Sequence, residues 1–158
     1  MNYNNSQSVI KGTYNNLSFA SAKGAKSLYG DVTVNGTLTW PDGNINIGTY
    51  NFTVNPNNIS NTTYSNPHMF VCNGTANTGK LIFQCNNSAD FTNLKFPIGT
   101  GTTYNMVTVN TATVSGGTGK IGFAEVPLSG SGNPTDLPTI RGYTTLLSNC
   151  CRSITKTI

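Results

Sequence analysis

The chain has 158 residues, of which only 9% are charged, and its formal net charge at neutral pH is +4. Its nine Lys and Arg residues are scattered and form no basic stripe, which indicates solvated charges and argues against nucleic-acid binding. No apolar run approaches the roughly 18 residues of a transmembrane helix, so membrane insertion is not expected.

Asparagine and threonine take the place of the missing charged residues, with 23 and 24 copies. Soluble domains usually contain roughly 25% charged residues. Thr, Asn and Gly all have weak helix propensity, and no long window shows an apolar repeat of helical period. The composition therefore predicts an all-β protein whose strands present Thr to water.

Short strand triplets recur between residues 12 and 60. In each, two apolar residues flank a polar one, and the triplets are Leu17-Ser18-Phe19, Val32-Thr33-Val34, Leu38-Thr39-Trp40, Ile45-Asn46-Ile47 and Phe52-Thr53-Val54. Steps of seven residues within a period near twenty predict parallel β-solenoid-like rungs with three short strands each. The alternative is an antiparallel meander, with Asn35-Gly36 and Asp42-Gly43 as hairpin turns.

The pattern changes after residue 60. A polar loop with two prolines leads into longer alternating segments at 69–74, 80–85, 91–96, 104–114 and 119–126. Strands at this spacing, separated by turn residues, predict an antiparallel β-sandwich over residues 61–148. Residues 149–158 are weakly patterned, and we expect them to form a C-terminal tail.

Four cysteines allow three pairings, and the spacing favours one of them. A hairpin centred on Thr78-Gly79 would place Cys72 opposite Cys85, where a cross-strand disulfide can form. The adjacent residues Cys150 and Cys151 would then bond to another chain or to a partner. Paired cysteines would indicate an oxidising, extracellular compartment.

Groups that could carry catalysis are few, and the sequence predicts that the protein is not an enzyme. Asp31 and Asp42 lie at predicted corners, where short acceptor side chains cap the backbone. Asp90 and Glu125 are the one carboxylate pair that merits a test for glycoside hydrolysis. His68 is the only histidine and is expected to be a solvated loop residue. No spacing suits a metal, a phosphate loop or a nucleophile elbow, so we expect no metal and no cofactor.

Trp40 ends a strand immediately before Pro41-Asp42-Gly43. Its inward phase favours a core position, whereas an exposed indole ring would be a stacking platform for sugar rings. Such a platform, at Trp40 or at surface tyrosines, would make the chain a carbohydrate-binding module, which is the alternative function.

Two stretches resemble a module of large cell-surface proteins of Bacteroidota. "GTYNNLSFASAKGAKSLYGDVTVNGTLTW" matches its solenoid-like rungs, and "LKFPIGTGTTYNMVTV" matches the start of its β-sandwich. "IRGYTTLLS" is similar to its closing strand, so the resemblance covers most of residues 12–148. It implies an adhesin-like or structural protein at the cell surface, of the kind exported by the type IX system. Two features depart from the family pattern: the C-terminal sorting domain typical of that export route is missing, and the Cys150-Cys151 tail is not part of the pattern.

Repetition, low charge and Thr-rich faces favour a non-catalytic extracellular structural or adhesive surface protein that assembles into a filament. Residues 1–11 contain strand-like sequence and no cap, and an uncapped rung exposes unpaired backbone groups. We expect this extension to link subunits by strand addition, with Val9 and Ile10 as the inserted apolar residues. Copies would join head to tail, and other surface proteins or glycans are further candidate partners.

Overall fold

All regular structure in the described part of the chain is β-strand, apart from one turn of 3-10 helix, so the all-β prediction is confirmed. The computed structural model describes residues 6–19, 24–60, 63–72, 79–87, 93–110, 119–124, 141–144 and 153–156. Its strands are β1 (Gln7–Tyr14), β2 (Leu17–Ser18), β3 (Lys26–Val34), β4 (Leu38–Thr39), β5 (Ile45–Asn46), β6 (Phe52–Val54), β7 (Phe70–Val71), β8 (Leu81–Cys85), β9 (Leu94–Gly99), β10 (Tyr104–Asn110), β11 (Gly119–Ala124), β12 (Arg141–Thr144) and β13 (Ser153–Lys156). The 3-10 turn is Pro56–Asn58.

The first half of the chain forms parallel ladders. One ladder pairs β1, β3, β6 and β8, with Tyr14, Val34, Val54 and Phe83 in register. A second pairs β1, β3, β5, β7 and β9. A short third ladder pairs β2 with β4 and continues through a parallel bridge from Leu38 to Ile59. Because these strands are parallel, Asn35-Gly36 and Asp42-Gly43 are not hairpin turns.

Strands β1 and β3 each take part in two ladders. The N-terminal half of β3 pairs with β5, and its C-terminal half pairs with β6. Between the halves lies Gly30, at φ +147°, where a Cβ atom would overlap the Cβ of Lys11. The register of β1 against β3 shifts at the same level, between Ile10 and Gly12. At this level the two strands therefore approach closely enough that only a glycine fits at position 30.

Antiparallel strands follow the parallel ladders. β9 pairs with β10 and β10 with β13, while β8 pairs with β11 and β11 with β12. All of these strands belong to the mixed sheet that contains β1. β7 and β8 lie beyond residue 60 yet continue the parallel ladders, so the strand pairing runs across the domain boundary predicted there. Strand β13 forms within the predicted tail.

Period-two alternation decides which side chains of β3 face the interior, whereas in β6 the middle residue Thr53, expected to face water, is buried as well. Val32, Val34, Leu38, Phe52 and Val54 are all buried, as the triplet pattern predicted. They belong to one continuous hydrophobic cluster that extends to Ile121 and Phe123. The core therefore spans both the parallel ladders and the antiparallel strands.

Asparagine side chains join successive corners of the parallel ladders. The Oδ1 atom of Asn16 accepts a hydrogen bond from Thr37 N–H at 2.8 Å. Asp31 Oδ1 accepts from Asn51 N–H at 2.9 Å, and Asn51 Oδ1 in turn accepts from Lys80 N–H at 3.3 Å. The first two bonds connect residues 21 and 20 positions apart, about one repeat, and the third connects residues 29 positions apart. Short amide and carboxylate side chains suit this task because they reach neighbouring backbone groups at turns.

The predicted hairpin between Cys72 and Cys85 is wrong. β7, which ends one residue before Cys72, pairs with β5 and β9, whereas β8, which ends at Cys85, pairs with β6 and β11. β7 and β8 therefore pair in parallel with earlier strands and not with each other as a hairpin. Both cysteines are buried, and the structure has no disulfide between them. Cys150 and Cys151 lie outside the described residues.

Candidate functional site

Strand β1 presents one edge of its backbone to no described strand. Gln7 N–H donates to Ala25 O at 3.0 Å, and Tyr14 O accepts from Asn35 N–H at 2.9 Å. Backbone groups alternate in direction along a strand, so those of Ser8, Ile10 and Thr13 point away from β3. In the described part of the chain β3 is the only partner of β1. This edge is a template on which a further strand can pair.

Two large apolar side chains lie beside this edge. Ile10 is 69% exposed and Tyr29 is 65% exposed, and the two are register partners on β1 and β3. The hydroxyl of Tyr14 donates to Ile10 O at 2.7 Å and so covers one acceptor close to them. We call the outer edge of β1 together with Ile10 and Tyr29 the β1 edge site.

The predicted linking residues Val9 and Ile10 have different environments. Val9 is 4% exposed and belongs to the chain's own hydrophobic core, opposite Leu28 in the register of β1 and β3. Only Ile10 is available at the surface. The expectation that both residues insert into a neighbour is therefore corrected, because β1 pairs within its own chain through residues 7–14.

Trp40 is fully buried and is not a sugar platform. Its Nε1–H donates to Gly43 O at 2.7 Å, and its ring centroid lies 4.7 Å from that of Phe70 in an edge-on contact. The core position that the inward phase favoured is the one observed. Among the described tyrosines, Tyr29 and Tyr50 are the exposed large aromatic residues that remain for such a role.

A buried lysine is hydrogen-bonded to the turn that follows Trp40. Lys26 has no exposed surface, and its Nζ donates to Asp42 O at 2.6 Å. Burial lowers the pKa of Lys26, and the nearby Asp42 carboxylate acts in the opposite direction to a smaller extent. The sequence interpretation of uniformly solvated charges is wrong for this residue. The sequence did contain a signal for this burial. Lys26 lies an even number of residues before Leu28 and Val32, so its side chain points to the same, inward face of the strand.

His68 is also buried, contrary to expectation. Its Nδ1 lies 2.6 Å from Thr63 O, and its Nε2 lies 3.1 Å from Trp40 O. The imidazole ring packs against both Trp40 and Tyr64, with centroid distances of 4.1 and 5.8 Å, and those two rings also contact each other at 6.1 Å. Burial raises the pKa of Tyr64 to about 12, and Tyr104 contributes to that increase. We call Trp40, Lys26, Asp42, Tyr64 and His68 the Trp40 corner.

The described carboxylates are structural. Asp31 accepts hydrogen bonds from the main chain and the side chain of Asn51, and Asp42 Oδ1 accepts from Gly43 N–H at 2.6 Å. These are the capping roles that their corner positions predicted. Asp90 and Glu125 lie outside the described residues. Within the described ranges, no group of three or more His, Cys, Asp or Glu residues is placed to hold a metal ion.

No described helix is long and apolar enough to cross a membrane. Comparison of the chain with protein-family models, with curated proteins and with solved structures finds no match. The functional argument therefore depends on the β1 edge site and the Trp40 corner themselves.

Proposed function

We propose that the chain is a non-catalytic structural or adhesive protein of the cell surface that assembles through its β1 edge site. The observation that carries this proposal is the edge itself, a strand with outward-facing backbone groups beside two exposed apolar side chains. Strand addition at such an edge obtains affinity from main-chain hydrogen bonds and register from alternating side chains. The low charge of the chain leaves little electrostatic repulsion against association of copies.

The parallel ladders support a short β-solenoid as the architecture behind this function. In this interpretation β1 with β2 forms the first rung, β3 with β4 the second, and β5 with β6 and Ile59 the third. Each rung buries its apolar residues against the next, and the antiparallel strands β10 and β11 close the far end as part of a sandwich-like region. The first rung is then the end that a neighbouring molecule can extend.

The partner that fits this edge is another copy of the chain. Within the described part, β12 and β13 end the sheet on its two sides, so a neighbour can offer one of these strands to β1. Pairing between two different edges is heterologous, and heterologous contacts that do not close produce a filament. The role assigned to residues 7–11 thereby changes, because β1 receives a strand and does not donate one.

An edge substitution tests the proposal more sharply than removal of residues 1–11, since that deletion would also remove the first five of the eight residues of β1. Ile10→Lys places a charge at the edge, which is how natural proteins block edge pairing. Tyr50→Lys is the matched control, because Tyr50 is an exposed aromatic residue away from β1. Light scattering and negative-stain microscopy should show filaments for the natural chain and for Tyr50→Lys, and monomers for Ile10→Lys. A natural chain that stays monomeric at high concentration would overturn the filament.

Extracellular location is part of the same proposal. It is supported by the resemblance to secreted surface modules and by the Thr- and Asn-rich composition. The pairing of Cys72 with Cys85 no longer supports it, because the structure does not form that bond. Surface labelling of intact cells with a membrane-impermeant reagent tests the location directly, and a chain protected from labelling would contradict it.

Carbohydrate binding is a second candidate, and the exposure of Tyr29 is the observation that favours it. A tyrosine ring that is 65% exposed can stack on the apolar face of a sugar. Ser27 and Ser8 lie in register on the same two strands and would supply hydroxyl groups nearby. Binding to a glycan array that is lost in Tyr29→Ser and kept in Tyr50→Ser would favour this function over assembly.

A further inference from the structure

The side chain of Tyr14, the last residue of β1, folds back along its own strand. Its ring lies beside Gly12, where a Cβ atom would be 4.0 Å from Tyr14 Cε2. Its hydroxyl donates a hydrogen bond to Ile10 O at 2.7 Å, four residues earlier in the chain. The side chain is also partly buried against the hydrophobic core. Packing and this hydrogen bond together hold the hydroxyl over Ile10 O.

The acceptor that Tyr14 covers belongs to the outer edge of β1. Backbone direction alternates along a strand, and Gln7 N–H donates to Ala25 O on the side of β3. The main-chain groups of Ser8 and Ile10 therefore face outward, and they pair with no described strand. Ile10 O is thus one of the acceptors that a further strand would use, and it is already occupied from within the chain.

We propose that the Tyr14 hydroxyl caps the β1 edge site and sets the concentration at which copies of the chain assemble. This role rests on the proposed assembly through that edge. An incoming strand pairs first with the outward groups of Ser8 and with Ile10 N–H. It reaches Ile10 O only when the Tyr14 hydroxyl moves into water. Covering an edge is one means by which natural proteins limit edge pairing, so the cap favours single copies in dilute solution.

The size of the effect follows from the hydrogen bond that is displaced. In the natural chain, assembly exchanges the bond between the Tyr14 hydroxyl and Ile10 O for one between that hydroxyl and water. In Tyr14→Phe, Ile10 O is bound to water before assembly, so nothing within the chain has to be displaced. A neutral hydrogen bond changes an equilibrium constant by a factor of roughly two to ten. Tyr14→Phe should lower the critical concentration for filament formation by that factor, while the ring keeps its packing.

Light scattering over a concentration series measures this threshold for the natural chain, Tyr14→Phe and Tyr50→Phe. Tyr50 is the matched control, because it is an exposed tyrosine away from β1. We expect a lower threshold for Tyr14→Phe alone, and no filaments when Ile10→Lys is combined with it. Filaments formed by Tyr14→Phe but not by the natural chain would also support the cap.

The unfavourable outcomes separate the cap from the assembly itself. Equal thresholds in all three chains would overturn the cap and leave assembly through the edge standing. A higher threshold for Tyr14→Phe would also overturn it, because that result is expected of a hydroxyl that only braces β1. If no chain assembles even at high concentration, the proposed assembly fails and the gating role fails with it.

Nuclear magnetic resonance tests the hydrogen bond in the single molecule, independently of assembly. The chemical shift of a carbonyl carbon reports the hydrogen bond that its oxygen accepts. In dilute samples of the full folded chain, the Ile10 carbonyl signal should move in Tyr14→Phe and stay in place in Tyr50→Phe. An Ile10 signal that is the same in all three chains would overturn the cap.

Discussion

The Trp40 corner and the β1 edge site distribute polar and apolar side chains in opposite ways. In the corner, Lys26 and His68 are buried, and their side-chain nitrogen atoms lie within hydrogen-bond distance of main-chain carbonyl oxygens. At the edge, Ile10 and Tyr29 face water beside backbone groups that no described strand pairs. Burial of polar groups is tolerated where hydrogen bonds are supplied, whereas the exposed side chains beside the strand edge belong to the surface through which we propose that copies assemble. The two regions should therefore respond differently to mutation.

Removal of the Trp40 side chain should have the largest effect on stability. Trp40→Ala leaves a cavity between His68 and Phe70 and removes the hydrogen bond to Gly43 O. We expect the free energy of unfolding to fall by about 3–5 kcal/mol, measured by urea denaturation. Trp40→Phe keeps part of the ring volume and should lose less. A loss below about 1 kcal/mol for Trp40→Ala would mean that the corner does not support the fold.

Much of this contrast was predictable from local sequence. Alternation of apolar and polar residues placed Val32, Phe52 and Trp40 in the interior, because the pleat fixes side-chain direction once a strand is recognised. The period near twenty predicted that successive strands of residues 12–60 recur, and their pairing is parallel. Corner roles for Asp31 and Asp42 followed from their position in turns.

The remaining features depend on groups that are distant in the sequence. Lys26 is bound by the carbonyl of Asp42, sixteen residues later, so its residue type alone indicated a surface position. His68 is bound by Trp40 O, twenty-eight residues earlier. The hairpin expected at Thr78-Gly79 gave way to ladders that begin before residue 60. Strand pairing across such separations is set by packing of the whole core, which local propensity does not encode.

Two glycines with positive φ differ in the space that a Cβ atom would have. Gly79 has φ +69°, and a Cβ there would overlap Gly48 O, whereas at Gly48, with φ +55°, the nearest atom would be Asn46 Oδ1 at 3.9 Å. We expect Gly48→Ala to cost about 1 kcal/mol for its backbone conformation alone. Gly79→Ala should cost more than about 2 kcal/mol because the backbone must also move. Equal thermal unfolding of the two variants would contradict this close packing.

Alkaline pH should weaken the Trp40 corner through Tyr64. Its folded pKa of about 12 lies above the ordinary tyrosine pKa of 10.0, so the neutral hydroxyl is favoured in the fold. The stability contribution is complete below about pH 10 and is lost as the pH rises through 12, by an amount on the order of 2 kcal/mol. Burial of Lys26 acts in the opposite sense below pH 10.5, but it does so equally in a Tyr64→Phe variant. Unfolding of the natural chain should therefore be the more pH-dependent between pH 10 and 12, and equal slopes would exclude this role for Tyr64.

Substitutions at the β1 edge site should have the smallest effect on the stability of the single molecule. Ile10→Thr and Tyr29→Thr replace exposed side chains with a residue of good strand propensity, so each should change the free energy of unfolding by less than about 0.5 kcal/mol. Dilute samples are required, because association would add stability to the natural chain by mass action. Under the proposed assembly, the same variants should also lower the light scattering of concentrated samples. A loss above about 1 kcal/mol under dilute conditions would show that Ile10 and Tyr29 support the fold itself, and the contrast between the two regions would then disappear.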